Sequence, residues 1–184
     1  MSIQLPDKKV FEWLGNDSKD VPYYLHPLNL TWSDEGIDHD LNIFSRVAEQ
    51  LAAEPEYWAE IIQTVSWRHT LAGCTCLLAS SRHEFFDDLC FRFREGSWVT
   101  PQIAVTIGLL HGSAARSFFE SVLDDPVMRN RRRQSVSALR ILQRLGANRE
   151  SDIALNSGNA SDREEAMVAD QVVTEHWEFW SKRV

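Results

Sequence analysis

Sulphur, turn residues and positive charge are all scarce in this chain. Three cysteines, Cys74, Cys76 and Cys90, are too few and the wrong parity for a disulfide framework. A reducing cytoplasm is therefore the expected compartment, and the core has to hold the fold unaided. Eight glycines and six prolines in 184 residues are too few for a many-turned β-sandwich. Nineteen basic residues stand against twenty-seven acidic ones, a formal net charge of −8. That balance argues against non-specific attraction to nucleic acid or an anionic membrane, and it favours a cationic partner. No stretch approaches the roughly 18 apolar residues of a membrane span; the longest candidate is "IAVTIGLLHG". The start, "MSIQLPDKKVFEW", lacks the apolar centre of a secretory leader, so none is expected. Phosphate loops, dinucleotide fingerprints, H-E-x-x-H and G-x-S-x-G are missing as well. No motif names a reaction, and no cofactor is expected.

What the chain does have is apolar bulk at helical spacing. Hydrophobic residues make up 43%, with seven Trp and nine Phe, which excludes a disordered chain. At this length about 70% of the unfolded surface can be buried. One domain is expected, with an irregular N-terminal arm over residues 1–37 and a helical body over 38–184. Leu41, Phe44, Val47, Ala48 and Leu51 step by three and four along one helix face. Trp58, Ile61, Ile62 and Val65 form the next stripe, behind Pro55. The stretch 66–80 is apolar on most sides and reads as a helix packed on two faces. Phe85, Phe86, Leu89 and Phe93 make a short helix that stops at Gly96. Thr100-Pro101 reads as a cap followed by a first-turn proline. Gly112 reads as the end of that helix, and Asp125-Pro126 as another cap. Residues 148–162 read as a short helix and a polar loop. Ser161 with Glu164 reads as a capping box opening a last helix.

One phrase occurs twice. "WRHTLAGCTCLLASSRHEFFDDL" starts at Trp67, and "WVTPQIAVTIGLLHGSAARSFFESVLDD" starts at Trp98. Each runs from Trp through an apolar stretch ending in Leu-Leu, a polar break and Phe-Phe to two aspartates. Leu71 pairs with Ile103, Leu78 with Leu110, and Phe86 with Phe118. A fainter third copy is "SALRILQRLGANRESDIAL". Repeated helix pairs of this length cannot bury both faces alone and stack on their neighbours. The expected fold class is all-α: stacked antiparallel helix pairs forming a short α-solenoid. On "TLAGCTCLLAS", "PQIAVTIGLLHG" and the Phe-Phe helices after each, roughly residues 64–125, the chain resembles HEAT-like helical repeats. In its overall character it also resembles the small, acidic bacterial immunity proteins that accompany secreted toxins. Neither resemblance carries functional residues over.

Candidate chemistry is thin. Cys74 and Cys76 are two positions apart on a helix, about 200° around it, which does not suit a shared zinc ion even with Cys90, His69 and His83 nearby. They read as small buried hydrophobes, and no metal is expected. Cys90 sits late in its helix without the donors a nucleophile needs. His111, at a helix C-terminus, is placed where the dipole favours a positive ring. Asp34, Glu35, Asp38 and Asp40 cluster in "SDEGIDHD". Asp87, Asp88, Asp124 and Asp125 close the two copies. If the units stack, these carboxylates line one acidic edge. They are the expected partner-binding residues, steering a cationic protein into contact. The expected function is a non-catalytic protein-binding module, an immunity-type protein that covers a basic toxin domain. A scaffold or adaptor is the alternative, with an enzyme or nucleic-acid binder using a concave face behind it. The run Arg129, Arg131, Arg132 and Arg133 keeps nucleic acid in view, against the acidic total. No membrane role is expected. The oligomeric state is open.

Overall fold

Helical periodicity carries into three dimensions almost everywhere it was legible. The computed structural model describes residues 8–147 and 159–184. The elements are α1 (Lys9–Leu14), a 3₁₀ turn (Tyr23–Leu28), α2 (Ile37–Ala52), α3 (Pro55–Gln63), α4 (Trp67–Ala79), α5 (Phe86–Glu95), α6 (Thr100–Asp124), α7 (Pro126–Arg129), α8 (Arg132–Arg144) and α9 (Ala160–Trp180). Among the described residues there is no strand, only an isolated antiparallel bridge between Asn16 and Pro22. The fold is all-α. No helix among the described residues is long and apolar enough to cross a membrane. The expected short helix falls largely on residues 148–158, outside the described residues, as does the last part of the third copy, residues 148–155; the copy's first part lies in α8.

α4 is the hub. His69 through Leu78 are all buried, because α2, α3 and α6 cover it from different sides. This is the physical form of a helix that is apolar all round. α6 is two helices in sequence. Gly112 interrupts it at φ 47°, ψ −110°, a left-handed backbone that glycine adopts without a Cβ penalty. The first arm leaves the end of α5 and returns along it, until His111 meets Phe86 at 4.8 Å. The second arm, residues 113–124, then follows α5 in the same direction. Phe93 of α5 meets Phe118 at 5.6 Å and Phe119 at 5.4 Å, both edge-on. Edge-on rings add about 0.5–1.5 kcal/mol per pair to the area they bury. The two copies of the doubled phrase thus fall on α4 followed by α5 and on the two arms of α6, but α5 packs on α3 and α6, not on α4.

On its other side the first arm of α6 packs on α8 and α9. The approach is close at Gly108, where an added Cβ would lie 2.7 Å from Ile141 Cγ2 and 2.9 Å from Trp177 Cζ3. Two helix starts differ from expectation. Val99, not Thr100, is the cap position of α6; Thr100 Oγ1 instead accepts from Ser97 N at 2.9 Å and donates to Ser97 O at 2.8 Å. The capping box of α9 is Asn159 with Asp162, not Ser161 with Glu164. Asp125 does cap α7, accepting from Val127 N at 2.8 Å and Met128 N at 3.4 Å.

The N-terminal arm is pinned at both ends of the body. Lys9 pairs with Glu54, and Val10 N donates to Tyr57 Oη at 3.1 Å. Leu28 O lies 3.3 Å from His176 Nε2, and Trp32 stacks on Phe179 at 4.9 Å. Burial pushes the His176 pKa down to about 4, so the ring sits neutral in the interior.

Candidate functional site: the α5 face and the arm cavity

The chain enters α5 through a strained connection, one of two such places: Asp20 and Leu30 in the arm also have left-handed backbone. Residues 80–85 connect α4 to α5, and two of them have left-handed backbone although neither is glycine: Ser81 at φ 50° and Phe85 at φ 67°. Each such residue costs on the order of 1 kcal/mol or more and persists only where surrounding contacts hold it. Here the Phe85 ring lies 5.1 Å from Trp58, and the Arg82 guanidinium sits 5.4 Å from the same indole. His83 Nδ1 donates to Leu110 O at 2.5 Å, which fixes its tautomer. Three buried nitrogens without a hydrogen-bond partner belong to side chains on or against this segment and α5: Trp58 Nε1, Arg92 Nε and His111 Nε2. Buried polar atoms are nearly always paired, so such a concentration marks a place shaped by something besides stability.

The outer face of α5 is acidic around one exposed ring. Phe91 is 51% exposed. Asp87 stands one turn before it and Glu95 one turn after, both exposed, with Glu84 exposed in the preceding segment. Asp88 accepts from the Gln63 side-chain amide and so joins α5 to α3. On α3, Glu56 and Glu60 are exposed on the same face as Gln63, and extend the acidic surface. Hydrogen bonding from Arg82 holds the Glu84 carboxyl below its ordinary pKa.

Nucleophilic chemistry finds no foothold in the thiols. Burial pushes Cys74 and Cys90 up to about 12 and raises Cys76 as well. Cys74 and Cys76 are the buried hydrophobes that their spacing implied. Among the described residues no group of three His, Cys, Asp or Glu side chains is arranged to hold a metal ion. His111 departs from expectation. Its position at the break in α6 suggested a dipole-stabilised positive ring, but desolvation, then the neighbouring His83, lower its pKa. Burial outweighs the dipole.

The expected partner-binding carboxylates divide into three places. Asp87 and Asp88 open α5, while Asp124 and Asp125 end α6, where Asp125 Oδ2 lies 3.9 Å from Arg94 near the end of α5. Because α5 and the second arm of α6 run the same way, the two pairs sit at opposite ends, about 10 Å apart along the axis, not on one edge. Asp34, Glu35 and Asp38 are exposed beside the arm. The Glu35 carboxyl is held low by its own backbone N–H, then by Ser33 and Ser18. Asp40 is a correction. It is 0% exposed and accepts from Ser33 N at 2.9 Å, from Ser33 Oγ, and from His26 Nδ1 at 2.8 Å. A charge so enclosed and so fully bonded fastens the arm to α2 and is not available to a partner. No family model matches the sequence, and no curated protein or solved structure matches it either.

The arm also borders an open groove of about 360 Å³, lined by residues that include Asp17, Lys19, His26, Ser33 and Asp34. Phe91, Glu56, Glu60, Glu84 and Glu95 escaped sequence reasoning. One signal for Phe91 was available: it lies off the apolar stripe of Phe86, Leu89 and Phe93. Nothing in the spacing marked Asp17 or His26, because the contact between them depends on how the irregular arm folds back.

Proposed function

We propose that this chain is a non-catalytic protein-binding module of the toxin-immunity kind, which covers a basic surface of its partner with the acidic α3–α5 face. Exposed Phe91, ringed by Asp87, Asp88 and Glu95 on α5, carries the reading. An exposed aromatic within a charged surround has the anatomy of an interface hot spot, in which the ring supplies affinity and the carboxylates supply steering. The overall charge of −8 favours a cationic partner. Glu56 and Glu60 widen the target beyond one helix. The strained backbone at Ser81 and Phe85 supports the same location, since strain gathers at functional segments. The free thiols suit a reducing cytoplasm.

The test is a comparison of two baits in native-host extract: wild type, and a variant carrying Phe91→Ser, Asp87→Lys and Glu95→Lys. A basic protein retained by wild type and lost by the variant is expected, and its toxic activity is expected to be neutralised by the wild-type chain. At low salt the variant should associate at least about tenfold more slowly. Identical captures on both baits, or a captured partner that stays fully active at saturation, would overturn the proposal.

A further inference from the structure

We propose that His83 and His111 form a binding site for one divalent transition-metal ion of borderline softness, with Zn²⁺ as the reference case. The sequence set His83 near the cysteines; the fold brings it to His111 instead. His83 belongs to the connection between α4 and α5, and His111 ends the first arm of α6, next to the break at Gly112. The two ring centres lie 6.2 Å apart, with the planes at 85°. A zinc–imidazole bond is about 2.0–2.1 Å, which sets the ion about 3.2 Å from each ring centre. Two rings on one ion can therefore stand up to about 6.4 Å apart, and stand about 5.2 Å apart at the tetrahedral angle. The observed spacing is inside that reach. Turning the exposed His83 ring inward by about 1 Å brings it to the tetrahedral value.

Each ring has a nitrogen to give. His83 Nδ1 meets Leu110 O at 2.5 Å, and a carbonyl only accepts, so Nδ1 carries the hydrogen and Nε2 is left for a ligand. Metal-binding histidines are ordinarily held this way, with one nitrogen anchored by a carbonyl or carboxylate and the other on the ion. His111 Nε2 is buried with no hydrogen-bond partner. Burial, then His83, lowers the His111 pKa, so the ring is neutral at pH 7, the form that a metal takes. Phe86 lies 4.8 Å from His111 and keeps that side of the site apolar. Among the described residues no third His, Cys, Asp or Glu side chain completes the set. The remaining positions fall to water, so the site is open and exchangeable, unlike a closed structural zinc centre. An ion held here ties the 80–85 connection, with its left-handed Ser81 and Phe85, to the break in α6.

The experiment strips the full chain of metal and titrates it with Zn²⁺, followed by calorimetry and by NMR of the histidine rings, with Mg²⁺ as the hard-ion control. Half the ligand set of a closed zinc site gives roughly the square root of its affinity, so one Zn²⁺ per chain with a dissociation constant of about 1–200 µM is expected. His83→Ala and His111→Phe should each weaken binding at least about fivefold, while His39→Ala, which removes an exposed ring elsewhere, should change it less than about twofold. Zn²⁺ should raise the Tm of wild type and leave that of His83→Ala unmoved. His83 is exposed, so its alanine variant keeps the test decisive even where His111→Phe fails to fold. Absence of saturable Zn²⁺ binding below about 1 mM overturns the proposal. A loss smaller than about fivefold in His83→Ala overturns it as well. Displacement of Zn²⁺ by equimolar Mg²⁺ does the same, since it assigns the ion to surface carboxylates. No partner protein enters this test, so its outcome is independent of the α5 reading.

Discussion

Replacing Asp40 by alanine should cost about 3–5 kcal/mol, more than any other single carboxylate in the "SDEGIDHD" cluster. The side chain is 0% exposed and serves three donors: the Ser33 backbone N–H, the Ser33 hydroxyl and His26 Nδ1. Alanine leaves those donors buried and unmet. Each unmet donor costs about 1–3 kcal/mol, and relaxation of the arm toward water recovers part of the sum. Breaking a buried charged pair from one side costs about 3–5 kcal/mol in general. Total stability for a domain is about 5–15 kcal/mol, so the loss is a large share of it.

Asparagine separates charge from shape. Its amide oxygen can still take the Ser33 N–H and His26 Nδ1–H, and the Ser33 hydroxyl can rotate to accept from the amide NH₂. Asp40→Asn should therefore cost less than alanine, about 1–2 kcal/mol. Asp38→Ala, on the exposed side of the same helix turn, should stay within about 0.5 kcal/mol. Urea unfolding of the three variants gives these values. Hydrogen exchange locates the damage, which should appear first in the 3₁₀ turn Tyr23–Leu28 that carries His26. If Asp40→Ala costs less than about 1 kcal/mol, or no more than Asp38→Ala, the claim that Asp40 fastens the arm is wrong.

Three further outcomes follow. Gly108→Ala forces a Cβ to within 2.7 Å of Ile141 Cγ2, and should cost about 1–3 kcal/mol by overpacking, read as a lowered Tm; Gly108→Ala together with Ile141→Leu, which removes the β-branch methyl, should recover part of it. His176 has a folded pKa of about 4 against an ordinary 6.5, so the unfolded chain binds the extra proton between those values. Stability should therefore rise with pH through the window from about 4 to 6.5; on that ring alone about 2 kcal/mol is lost between pH 7.5 and 5, and His176→Gln should flatten that part of the urea-derived profile. With Cys74 and Cys90 held near 12 and Cys76 raised too, iodoacetamide at pH 8 should label the native chain far more slowly than the urea-unfolded chain; rapid native labelling of any cysteine would contradict the burial argument.

The helices were legible because burial in this chain follows the helical period. Phe44, Val47, Ala48 and Leu51, read as one face of a helix, are buried together in α2. Gly112 was legible as a stop because glycine alone takes its left-handed backbone freely, and the doubled phrase survives as Phe86 and Phe118 edge-on at 6.3 Å. Charge was less legible. Sequence reasoning treats a carboxylate as exposed by default, and for Asp40 that default fails because His26 and Ser33 arrive from 14 and 7 residues earlier, across a stretch that is not one continuous helix. The arginine run was equally opaque. Arg131 and Arg133 spend guanidinium N–H groups on the carbonyls of Arg94, at 2.6 Å, and Ser97, at 3.4 Å, bracing the turn out of α5.

These misreadings share one physical cause, and it bears on where function resides. A periodic pattern reports what a helix buries along its own length. It is silent about contacts supplied by irregular segments, which owe their shape to distant partners. Both candidate sites belong to such segments: the strained 80–85 connection beside α5, and the arm around Asp17 and His26. In each, side chains from separate stretches meet without a repeat to announce them, and left-handed backbone occurs at non-glycine residues, at Ser81 and Phe85 in the first and at Asp20 and Leu30 in the second. The regular helices act as the frame. The parts of the chain that periodicity could not explain are those in which backbone conformation is set by distant contacts.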